Sequence, residues 1–134
     1  MGAWDCGVFD DDTTCDFADE IANADDPLQM LTDAFRDANE ADYLEYDQGC
    51  AVWVSATVID AILNGTPCPC MVESFGPFIE ANKKLSVAGL KEQAVKALDR
   101  FLGENSELRE LWSENEELYP KWKDGVVQLR DRLK

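Results

Sequence analysis

Residues 46 to 64 carry apolar side chains around most of a helical circumference, and no other run constrains the fold as much. Val52, Trp53, Ala56, Ile59 and Leu63 fall on one side at helical spacing, while Val54, Val58 and Ile62 widen the stripe. A helix this broadly apolar is expected at the centre of a fold, packed on more than one side. Asn64-Gly65 should end it, because glycine enters the left-handed conformation of a C-terminal cap without a Cβ penalty. A membrane span is not expected. The stretch from 51 to 63 is interrupted by Ser55, Thr57 and Asp60 and is too short for a hydrocarbon core of about 30 Å. Asp60 inside such a helix is costly as a carboxylate unless it points to water or meets a Lys or Arg from the C-terminal half.

Shorter helical patterns flank this run. Thr13 and Asp16 have the spacing of a capping box, so a helix should start near them, with Phe17 and Ile21 as its buried side. Asp26-Pro27 is a second start signal, a capping carboxylate before a proline whose missing N–H costs nothing in a first turn. Leu28, Leu31 and Phe35 carry that helix to about Asn39. Residues 65 to 77 hold Gly65, Pro67, Pro69, Gly76 and Pro77 and read as the long irregular connection. A short helix is expected over 77 to 84. A longer one carries Leu90, Ala94, Leu98 and Phe101 and ends near Gly103. Leu108, Leu111 and Trp112 mark the next, and Trp122, Val126, Leu129 and Leu133 the last, with Pro120 near its start and Gly125 as a weak point inside it. Nothing alternates with period two over a useful length. The expectation is an all-α fold: a compact irregular bundle of about five to seven helices behind an irregular aromatic N-terminal segment. The whole chain, 1–134, reads as one acidic helical domain.

Charge is the strongest functional signal. The net charge is −16, from 28 acids against 12 bases. Residues 1 to 50 hold fifteen acids and one base, Arg36, a net of −14 that leaves only −2 for the remainder. Such a field repels phosphates and anionic lipid and attracts basic surfaces over about 8–10 Å at physiological salt. Direct nucleic-acid binding and membrane association are therefore not expected, whereas a basic protein partner is. Trp4, Asp10, Asp11, Asp12, Asp16, Asp19 and Glu20 are the candidate interaction surface, the tryptophan because it sits in an irregular segment. The aspartates also have a purely structural reading, since acids favour the first turn of a helix. An acidic exterior can equally serve solubility alone.

Chemistry narrows the alternatives. There is no histidine, so Ser-His and Cys-His nucleophiles and histidine-based zinc sites are ruled out. Residues 10 to 14 resemble the start of a calcium loop, but Cys15 stands where its turn needs glycine and Ile21 where a bidentate glutamate would close it. Cys68-Pro69-Cys70 is a single CxC without a second pair, a poor metal signal. Gly2 and Gly7 precede a helix start, yet three adjacent aspartates would repel a phosphate there. No metal, cofactor or catalytic residue is expected. Gly2 does not make a myristoylation site, because Cys6 takes the place of the required Ser or Thr. The first residues show neither a basic n-region nor an apolar h-region, and five cysteines form an odd set, which together suggest reduced thiols in a cytoplasmic protein.

Gly2-Ala3-Trp4 followed by Gly7, Phe9-Asp10 and Asp12-Thr13 resembles the opening of the bacterial DUF4259 family. Its members typically begin with a Gly-Ala/Thr-Trp-Gly segment and then Phe-Asp-Asn-Asp. Tyr43-Leu44-Glu45, Gly65-Thr66-Pro67, Ser106-Glu107-Leu108, Glu110-Leu111-Trp112, Trp122, Leu129-Arg130 and Leu133 extend the likeness over nearly the whole chain. Asp5-Cys6 and Asp11 depart from the pattern, where Gly-Thr and Asn are usual. The resemblance implies a small bacterial-type protein and transfers no catalytic residues. The leading expectation is a nonenzymatic module docking on a basic protein surface, as an immunity-type inhibitor or a mimic of nucleic-acid charge. The alternatives are a small enzyme using carboxylates or a thiol such as Cys68 or Cys70, and a housekeeping protein whose acidity only keeps it in solution.

Overall fold

The computed structural model describes residues 11–66 and 73–134. The irregular N-terminal segment, Trp4, Asp10, Cys6, Cys68 and Cys70 lie outside the described residues. Among the described residues the chain is all-α, with seven α-helices and no strand or sheet. They are α1 (Asp12–Ala22), α2 (Pro27–Glu40), α3 (Tyr46–Asn64), α4 (Phe75–Ala81), α5 (Lys91–Phe101, entered through a 3-10 turn at Ala88–Leu90), α6 (Glu107–Ser113) and α7 (Tyr119–Leu133).

The broadly apolar helix is central. Every position of α3 from 52 to 61 is buried, more than two turns at 3.6 residues per turn, so no side of it faces water over that length. α1 and α2 pack on it, as do α5 and α7, and α4 and α6 fill in at its flanks. Burial falls away after Ala61, and Leu63, expected in the core, is 38% exposed. Gly65 ends the helix at φ 69°, with its N–H donating to the Ala61 carbonyl at 3.0 Å. Asp60 is buried and meets Arg132 Nε at 2.8 Å and Asn64 Nδ2 at 2.7 Å, so the cation comes from α7 and the carboxylate does not point outward.

Five rings knit the later helices to α3. Trp122 of α7 is fully buried and lies 6.3 Å from Trp53, 5.4 Å from Phe101, 6.4 Å from Trp112 and 5.9 Å from Tyr119, centroid to centroid. Distances of this kind suit edge-to-face and offset ring pairs, each worth about 0.5–1.5 kcal/mol beyond area burial. Gly49 permits the close crossing at this end: a Cβ there would stand 3.0 Å from the Phe101 ring and 3.1 Å from Leu108.

Helix starts depart from the sequence reading in two places. α1 is capped by Asp11 rather than Thr13; Asp11 Oδ1 accepts from the Thr13 N–H at 2.7 Å, which puts Thr13 inside the first turn. α4 begins at Phe75, two residues before Pro77, because a proline in the first turn removes only an N–H that has no intrahelical acceptor. α2 starts as expected, with Asp26 Oδ1 accepting from the Gln29 N–H at 3.2 Å. A tie between connections that periodicity does not announce joins Leu44 to the α5–α6 link: its N–H donates to Asn105 at 2.8 Å and its carbonyl accepts from Glu107 at 2.9 Å.

Candidate interaction surface

α1 buries Thr14, Ala18 and Ile21 against the core. At 100° per residue, Asp12, Asp16, Asp19 and Glu20 then fall within about 100° of arc on the opposite side, and all four are exposed. Phe17, expected as core, is half-buried at the border between the two faces. Packing of α1 on α3 brings Asp47, in the first turn of α3, towards the same border. Thr13, Asp16, Phe17, Glu20 and Asp47 line a cleft of about 350 Å³. It has three carboxylates, one hydroxyl and an aromatic wall.

The seven candidate residues separate once folded. Asp12, Asp16, Asp19 and Glu20 share the exposed face of α1. Asp19 is already engaged, its Oδ1 accepting from Ser74 Oγ at 2.8 Å and from Asn23 Nδ2 at 3.1 Å, which fastens α4 to α1. Asp11 is 3% exposed and structural: besides capping α1 it accepts a hydrogen bond from the Tyr46 hydroxyl, linking the starts of α1 and α3. Trp4 and Asp10 lie outside the described residues. Asp47 was missed by sequence reasoning, because its only sequence signal, an acid in a first turn, is common to many helices.

The pairing of cations decides how much of this charge stays open. Arg36 is held by Asp33 at 3.0 Å and Asp37 at 3.4 Å within α2. Arg100 donates to the carbonyls of Ala38 and Ala41, closing the C-terminal end of α2 with a cation that the last turn of α2 itself lacks. Arg130 pairs with Asp99 at 2.8 Å, Arg132 with Asp60 at 2.8 Å, and Lys83 with Glu80 at 3.1 Å. Among the described residues no Lys or Arg forms an ion pair with Asp12, Asp16, Asp19, Glu20 or Asp47. Arg100, Arg130 and Arg132 are thus engaged elsewhere, and none of the described Lys or Arg lies within ion-pair distance of the acids on the exposed face of α1.

A second depression of about 390 Å³, where the start of α5 meets the end of α7, has a different character. Val95 and Leu133 contribute apolar surface, and Lys91, Glu92 and Lys134 surround it.

Two cysteines lie among the described residues, Cys15 half-buried on α1 and Cys50 in the core. Cys50 is 1% exposed, and burial pushes its thiol well above the ordinary range, with the carboxylates of Asp11, Asp47 and Glu107 adding to the effect. A thiol held protonated is a weak nucleophile. No group of three or more Cys, Asp and Glu among the described residues is arranged to hold a metal ion. No helix among them is long and apolar enough to cross a membrane.

Comparison with known proteins agrees with the opening signature. No curated protein and no solved structure matches the chain. The family model for DUF4259, a domain of unknown function, matches residues 2–125 of the 134. With most of its length inside that match, the chain belongs to the DUF4259 family.

Proposed function

We propose that this protein is a nonenzymatic interaction module that docks on a basic protein surface through the exposed face of α1 and the neighbouring Asp47. The observation that carries this reading is the lack of ion-pair partners at Asp12, Asp16, Glu20 and Asp47 among the described residues, although eleven of the chain's Lys and Arg lie beyond residue 50. Exposed carboxylates held on a rigid helix need no reordering before they meet a partner, and a one-signed patch raises encounter rates by about 10–1000-fold at low salt. The type of partner this suits is a protein that itself binds nucleic acid, with the module acting as an inhibitor or a mimic of phosphate charge. The setting we assign is the bacterial cytoplasm, in keeping with the family resemblance and the odd number of cysteines.

Affinity capture from native cells at low and at high salt tests the idea. A specific partner should be recovered at low salt and released as salt rises, because solvent-exposed charges are screened beyond the Debye length, about 8 Å at 0.15 M. Recovery only of partners that stay bound whatever the salt overturns it.

A further inference from the structure

We draw no further inference here: the strongest candidate, the cleft between α1 and α3 lined by Thr13, Asp16, Phe17, Glu20 and Asp47, belongs to the acidic surface already described, and nothing in the structure shows what fills it.

Discussion

The side of the molecule built by α1 and the side built by α5, α6 and α7 cover the same central helix in different ways. α1 covers it with small and medium side chains, Thr14, Ala18 and Ile21, and leaves its opposite face to unpaired carboxylates. The later helices cover it with Phe101, Trp112 and Trp122, and two of their arginines are tied down by Asp99 and Asp60. Rings and a partly buried ion pair meet on the later side, whereas the excess of acids over bases lies in the first 50 residues, fifteen against one. A surface can be changed cheaply, or used for recognition, only where the fold does not rely on it.

Substitutions on the two sides should therefore differ most. Trp122→Ala removes the ring that touches four others and should lower unfolding free energy by about 3–5 kcal/mol, measured by urea denaturation. Asp16→Asn with Glu20→Gln should move it by no more than about 0.5 kcal/mol. A large loss from the second pair of changes would make the acidic face part of the scaffold.

Arg132→Ala probes the ion pair on the later side. It leaves the buried Asp60 without its cation and with Asn64 alone, and should cost about 1–3 kcal/mol, softened because the guanidinium is 41% exposed and water can reach the site. A change of unfolding midpoint within error would show that the pair contributes nothing. On the acidic side, Asp11 is the exception. Asp11→Ala should cost about 1–2 kcal/mol through loss of the α1 cap, with Tyr46 losing its acceptor as well. A far-ultraviolet circular dichroism melt should then show α1 fraying; an unchanged melt would contradict the assignment of Asp11 to structure.

The smallest effect concerns pH. The Tyr43 hydroxyl donates to Glu110 Oε2 at 2.8 Å, and that hydrogen bond, followed by burial and the charges of Glu110, Glu107 and Glu45, pushes its pKa up to about 12. A group whose folded-state pKa is raised contributes fully below its ordinary value, about 10 for tyrosine, and loses that contribution as pH climbs through the folded value. Stability should decline slightly between pH 10 and about 12, and Tyr43→Phe should flatten that decline. If the two proteins lose stability in parallel, the hydroxyl has no such role.

Much of the helical layout was legible because local chemistry specified it. Asp26-Pro27 announced α2, and the breadth of the apolar stripe announced that α3 is central. Gly65 marked the end of α3 through a conformation few other residues adopt. Elsewhere two local signals competed, as at α1, where Asp11 and Thr13 are both acceptable caps and Asp11 takes the role while also accepting from Tyr46 of α3. Periodicity puts Leu63 on the side of Ile59 but does not say whether another element covers that position, and it is 38% exposed. The cluster of acids around α1 was legible in the sequence, but not that Asp11 in it would be buried as a cap, and Asp47 joins the others only through packing between helices far apart in sequence. The family itself was legible in a handful of N-terminal residues, and the match over residues 2–125 bears that out.

Localisation of open negative charge on α1 and the start of α3 can be tested without knowing the natural partner. A short oligo-arginine peptide titrated into the labelled protein and followed by amide chemical shifts should first perturb residues 12 to 20 and Asp47. Those shifts should vanish at high salt and in the Asp16→Asn, Glu20→Gln, Asp47→Asn variant. Perturbation of equal size at the exposed acids Glu114, Glu116 and Glu117 in the later half of the chain, undiminished in that variant, would show that the open charge is not localised on α1.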